Sequence, residues 1–193
     1  IDCLLPLIAR IYPHGVLEHL AEMGEKYLIL GVTKIFILMA TPGTFSQIYI
    51  QLVFAVQGRR SLISEEWEDE LYKYITGIVT NKDQKLLAIN GAFDHIHILI
   101  GMKLSCCPSD LMREIKKSSN TWINERGLSR GRFNWQGGGA GFSYSRSQIG
   151  GVIQYIEDQK RHHQKIGFKE EYTNMLIEHG IKFDERFLFE WIE

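Results

Sequence analysis

The chain has 193 residues, 45% of them hydrophobic and 23% charged, a profile that fits one ordinary globular domain and excludes a disordered or collagen-like chain. Three cysteines, Cys3, Cys106 and Cys107, offer neither a disulfide framework nor a zinc-binding spacing, which points to a reducing, cytoplasmic setting. The net charge of -1 hides an asymmetry: residues 45–165 hold 16 Lys/Arg against 12 Asp/Glu, whereas residues 166–193 hold 3 against 7. A basic middle suits a polyanionic partner without establishing one.

Residues 1–38 look foreign to the rest of the chain. Residues 27–40 are apolar, but Lys34 interrupts them and they are too short to span a bilayer. Some two dozen mixed residues precede them, which excludes a signal peptide. We read 1–38 as a leader, with Met39 as the original start; a genuine N-terminal helix is the alternative.

From residue 45 the pattern is regular. Residues 48–56 read as a buried strand. Ser64, followed by Glu65, Glu66 and Trp67, opens a helix to about residue 79. Residues 85–93 and 95–102 are strands, joined by a short link at Asp94. Pro108, Ser109 and Asp110 open a second helix, to about residue 125. A loop rich in Gly and Arg fills 127–141, and 142–145 make a short strand. Residues 146–165 read as a third helix and 169–179 as a fourth, before an acidic end. This order predicts an α+β, ferredoxin-like (split βαβ) fold: one antiparallel sheet with two helices on one face. The third helix is then an addition outside that core. On this reading residues 45–168 are one catalytic domain and 169–193 a C-terminal helix with an acidic tail.

Two features carry chemistry. In a strand alternate side chains share a face, so His95 and His97 point one way while Ile96, Ile98 and Ile100 point to the core. Two such imidazoles can grip one metal ion, or can simply be polar residues on an open strand face. On the third helix, Ser145 to Gln148 fits a capping box, and Ile149, Val152, Ile153 and Ile156 form the apolar stripe. Tyr155 and Gln159 lie one turn apart beside that stripe, with His162 and His163 continuing it. They can bring a nucleophilic oxygen and a ligand oxygen to one point; the plain alternative is an amphipathic helix with a tyrosine at its rim.

Together, His95-Ile96-His97, then Tyr155-Ile156-Glu157-Asp158-Gln159 and His162-His163 resemble the single-tyrosine HUH transposases of small insertion sequences, the IS200-like family. Ser46-Gln47-Ile48-Tyr49, Phe142-Ser143-Tyr144-Ser145 and Phe168-Lys169-Glu170-Glu171 also look like that family, so the resemblance runs over about residues 45–192. One departure stands out. After Trp135-Gln136 the family has an aromatic residue between glycines, where this chain has Gly139 in a run of small residues, and we expect a looser loop there.

The resemblance implies cleavage and rejoining of single-stranded DNA through a 5′-phosphotyrosine on Tyr155, with Mg²⁺ or Mn²⁺ held by His95, His97 and Gln159. It also implies hairpin ends of a mobile element as substrate, and a homodimer whose active sites could be shared, with no membrane partner. The basic segment would contact phosphates through Lys103, Arg113, Lys116, Lys117, Arg126, Arg130 and Arg132, with Trp122 or Trp135 available to stack on a base. Two other classes fit parts of the pattern. A non-catalytic ferredoxin-like nucleic-acid-binding protein would keep the basic segment, and a His-dependent phosphoesterase would use His95 and His97 with water.

Overall fold

The structure, a computed structural model, describes residues 45–58 and 62–191. The leader expected over residues 1–38 lies outside the described residues. Strand β1 (Ile48–Ala55), helix α1 (Glu68–Asn81), strands β2 (Lys85–Gly91) and β3 (His95–Met102), helix α2 (Pro108–Arg126) and strand β4 (Ala140–Tyr144) succeed one another. They build a four-stranded antiparallel sheet in the order β2-β3-β1-β4, the ferredoxin-like arrangement. Among the described residues no helix is long and apolar enough to cross a membrane.

Strand alternation gives the sheet two different faces. Leu52, Phe54, Ile96, Ile98 and Ile100 face α1 and α2, whose Leu71, Ile75, Val79, Leu111, Ile115 and Ile123 complete the main core. Each such side chain withdrawn from water contributes roughly 1.5–3 kcal/mol. The other face carries Val53, Ala55, His95, His97 and Leu99, and it is covered too. Helix α3 (Ile149–Glu157) lays Ile149, Val152 and Ile156 on Leu99 and Ala88. Helix α5 (Phe168–Glu178) lays Phe168, Tyr172, Met175 and Leu176 on Val53, Ala55 and Phe142. The histidine face is therefore an interior layer.

The third helix differs from its sequence reading. Gln148 Oε1 accepts from the Ser145 backbone N–H at 2.9 Å, the return half of a capping box, but regular helix begins only at Ile149 and ends at Glu157. A separate short turn, α4 (Gln159–His162), lies beyond it. The break has a visible cause. Asn90 Nδ2 donates to the Glu157 carbonyl at 2.8 Å, and Arg161 N–H bonds to Asp158 instead of Glu157. The interruption leaves Gln159 fully buried against the sheet.

Two glycines are demanded by geometry. At Gly91, where β2 turns into β3, a Cβ would lie 2.2 Å from the His95 carbonyl oxygen. Only glycine lets the ladder close directly against the first histidine. Gly139 has φ +148°, and a Cβ there would meet Met112 Sδ at 2.6 Å and the Val53 carbonyl at 3.0 Å. The looseness expected of this loop is not what the contacts show. The Lys116 ammonium donates to the carbonyls of Gln136 and Gly138, and Gln136 Nε2 donates to Val56 and Glu190 carbonyls at 3.0 and 2.7 Å. Gly139→Ala is expected to destabilise the protein by about 1–3 kcal/mol, read as a lower urea midpoint. An unchanged midpoint would contradict the backbone conformation described.

Candidate active site

His95 and His97 project from the same side of β3, as strand alternation predicts, and both are fully buried. Each has its other ring nitrogen engaged. His95 Nδ1 lies 2.7 Å from Asp94 Oδ1, a contact that places the proton on Nδ1 and turns the Nε2 lone pair inward. The ring stacks on Phe168, with centroids 3.9 Å apart and planes 3° from parallel. His97 Nδ1 lies 2.8 Å from the Gln51 amide nitrogen, and Tyr144 Oη donates to Gln51 Oε1 at 2.8 Å. Turning the amide over would offer its oxygen to an Nδ1–H and its NH₂ to Tyr144. The same pair of contacts then serves the tautomer that frees Nε2.

Three further side chains converge on these rings. Gln159 Oε1 is 3.3 Å from His95 Nε2 and 3.0 Å from His163 Nε2. His163 is fixed by its Nδ1 contact, 3.0 Å, with the Ile166 carbonyl. Glu171 Oε2, from α5, stands 3.5, 3.4 and 3.1 Å from the Nε2 atoms of His95, His97 and His163. One ligand atom from each of His95, His97, His163 and Glu171 falls within 4.8 Å of all the others. His97 Nε2 and Glu171 Oε2 are buried without a well-formed hydrogen bond. Such atoms cost about 1–3 kcal/mol each, and a cation among them would satisfy both.

The electrostatics suit a cation. Burial lowers the His95 imidazole below its ordinary pKa, partly offset by the Asp94 hydrogen bond, which keeps the ring neutral and able to ligate. Burial would raise the Glu171 carboxyl, but the facing imidazoles of His163, His97 and His95 hold it far below the usual range. Burial also opposes charge on His163, yet the Glu171 carboxylate and the Ile166 carbonyl win and raise its pKa.

Tyr155 joins the same cluster within one chain. Its hydroxyl donates to Glu171 Oε1, and its ring lies edge-on to His97 with centroids 6.0 Å apart. Burial, then the Glu171 carboxylate, push the phenol well above its ordinary value of 10. A cleft of about 260 Å³ is walled by Tyr144, Gly151, Val152, Tyr155, Glu171 and Met175 among others. Gly150 and Gly151 meet no neighbour where a Cβ would stand, so packing does not explain either of them.

Tyr155, His95, His97 and Gln159, singled out from the sequence, thus come together. The sequence pattern did not mark His163 or Glu171 as site residues. Glu171 did leave a signal: it falls at helical spacing among Phe168, Tyr172, Met175 and Leu176, a carboxylate inside an apolar stripe.

The basic residues do not form one surface. Arg113, Lys116 and Lys117 line an open groove of about 710 Å³ between α2 and the 134–141 segment, which also includes Asn120, Asn134 and Met112. Lys103 pairs with Asp83, Arg113 with Asp110 and Arg126 with Glu70, while Arg130 and Arg132 sit exposed on the 127–134 loop. Lys116 spends its ammonium on the loop carbonyls. Trp135 is buried and donates to Ser119 Oγ at 2.9 Å. Trp122 stacks on Tyr74 at 4.9 Å and lies under the Arg126 guanidinium. Both tryptophans have packing roles.

The family model described as Transposase IS200 like matches residues 44–159. Among solved structures the chain is similar to a candidate transposase from Deinococcus radiodurans R1, at 21% identity and a TM-score of 0.49, over 61% of this chain and 95% of that one. It is also similar to a REP-associated tyrosine transposase bound to a REP hairpin, at 16% identity and a TM-score of 0.49, over 65% of this chain and 74% of that one. No curated protein matches the chain.

Proposed function

Because the chain belongs to the IS200-like transposase family, enzymes of the HUH type, we propose that it cuts and rejoins single-stranded DNA by transesterification at Tyr155. The observation that carries this reading is the meeting of the Tyr155 hydroxyl, through Glu171, with the buried His95, His97 and Gln159. Tyr155 Oη gives up its proton and attacks a backbone phosphorus, the bond from phosphorus to the 3′ oxygen breaks, and that oxygen takes up a proton and leaves as a 3′-hydroxyl, so no net proton is consumed. The 5′-phosphotyrosine left behind keeps the energy of the phosphodiester, so joining reverses the step without ATP.

His95, His97 and Gln159 would hold a divalent ion, and the orphaned Nε2 of His97 supports that fit. When bound, Mg²⁺ or Mn²⁺ supplies charge neutralisation at the non-bridging phosphate oxygens. Imidazole donors favour Mn²⁺ over Mg²⁺. Asp94 and Gln51 orient the two rings. Tyr155 stands at its own chain's histidines, which supports cleavage in cis; a second copy, and hairpin ends as the bound DNA, remain part of the proposal.

Phosphate contacts are assigned to the groove, through Arg113 and Lys117, both exposed on α2. Lys117→Ala is expected to flatten the salt dependence of single-strand binding by about 0.7 log units per log salt, and Arg113→Ala likewise. Lys116→Ala is expected to disturb the loop as well, so it is a poor reporter. Arg113 is paired with Asp110 at 2.8 Å, so Lys117→Ala is the cleaner reporter, and unchanged slopes in both variants would move the DNA path elsewhere.

The test of the function is incubation with end-labelled single-stranded DNA and Mn²⁺, followed by denaturing electrophoresis. A protein-linked DNA band is expected. Cleavage with free 5′-phosphate ends and no linked band would indicate hydrolysis, and binding without cleavage a non-catalytic module; either would overturn the reading.

A further inference from the structure

We propose that Glu171 is a ligand of the bound ion and at the same time holds the Tyr155 hydroxyl, so that one carboxylate ties ion binding to placement of the nucleophile. The inference rests on the proposed metal site and extends it to a residue beyond the stretch matched by the family model, which ends at residue 159. Glu171 is only 3% exposed. A carboxylate withdrawn from water is costly unless charge or several donors compensate it. Its ion-pair partners among the described residues are all histidines: His95, His97, His162 and His163. No Lys or Arg side chain is among them.

The two oxygens are differently employed. Oε1 accepts from Tyr155 Oη and from Gln159 Nε2, the latter at 2.9 Å. Oε2 faces three Nε2 atoms at 3.1–3.5 Å and has no well-formed hydrogen bond. Oε2 and one nitrogen of each of His95, His97 and His163 all lie within 4.8 Å of one another, a mixed imidazole and carboxylate donor set that would close around one divalent ion. One oxygen thus serves the ion and the other the phenol. The sequence hides this arrangement, because Glu171 is 16 residues from Tyr155 and on another helix.

The experiment is calorimetric titration of the full chain with MnCl₂, without DNA. Glu171→Gln is nearly isosteric and is expected to weaken Mn²⁺ binding at least roughly tenfold. His95→Ala is expected to abolish binding. Tyr155→Phe, which removes no proposed ligand but deletes the hydroxyl on Glu171 Oε1, is expected to shift the Mn²⁺ dissociation constant roughly threefold or more in the Glu171 protein and not at all in Glu171→Gln. Unchanged affinity in Glu171→Gln would overturn the ligand role while loss in His95→Ala left the metal site standing. Equal effects of Tyr155→Phe in both backgrounds would overturn the coupling. If neither His95→Ala nor Glu171→Gln altered binding, the metal site itself would be refuted. Should Glu171→Gln not fold, the anomalous Mn²⁺ peak in wild-type crystals decides the ligand role: Glu171 within its coordination sphere supports it, and Glu171 outside it overturns it.

Discussion

Tyr155→Phe is expected to remove strand cleavage and the covalent DNA adduct, a loss of at least roughly 10³-fold, while leaving DNA binding and the fold in place. The phenol oxygen is the only atom deleted. The ring keeps its packing beside His97 and His162, so thermal stability should change by no more than about the 1–3 kcal/mol of one buried hydrogen bond. Tyr144 is the internal control. Its hydroxyl donates to Gln51 and so acts on the His97 ring rather than on DNA. Tyr144→Phe should slow cleavage and still form the adduct. An adduct that survived Tyr155→Phe and vanished in Tyr144→Phe would reassign the nucleophile. If neither tyrosine mattered while cleavage still required His97, hydrolysis by water would be the better account.

His97→Ala is expected to lose cleavage to a similar extent, for a different reason. The substitution removes a donor atom from the centre of the cluster, leaves Gln51 without its imidazole partner and takes one of the four imidazoles from around Glu171. The protein should also lose about 1–3 kcal/mol of stability, and added Mn²⁺, which is expected to raise the wild-type melting temperature, should no longer do so. The pH dependence of ion binding has a definite sign. His163 is held protonated to higher pH than an ordinary histidine, whereas Glu171 stays ionised and His95 stays neutral. Proton competition therefore comes first from His163, and Mn²⁺ affinity should fall as pH drops through its raised pKa, which lies above 6.5. His163→Ala should shift or remove that dependence. A Mn²⁺ affinity that rose on acidification would contradict the cluster's charge assignment.

The layout of the fold was legible because its signals are local. Alternation in residues 48–56 and 95–102 set which side chains faced α1 and α2, and with them the direction of His95 and His97. The break at Asp158 was not legible, since it depends on Asn90 of β2 reaching a carbonyl 67 residues away. From the sequence Gln159 is a ligand candidate one turn from Tyr155 on a continuous helix; the break is what buries its amide among the imidazoles. Lys116 reads as a phosphate contact because nothing local shows that two loop carbonyls claim it. Gly139 reads as a source of looseness because its neighbours, Met112 and Val53, come from α2 and β1. In each case the deciding contact is long-range, and a one-dimensional pattern carries no trace of it.

The central claim is that Tyr155 becomes covalently joined to DNA. Its most direct measurement is protease digestion of the protein after reaction with single-stranded DNA and Mn²⁺, with the adduct mapped by tandem mass spectrometry. The expected result is a nucleotide attached through its 5′-phosphate to Tyr155 and to no other residue. An adduct on any other side chain, or cleaved DNA with unmodified protein throughout, would contradict it.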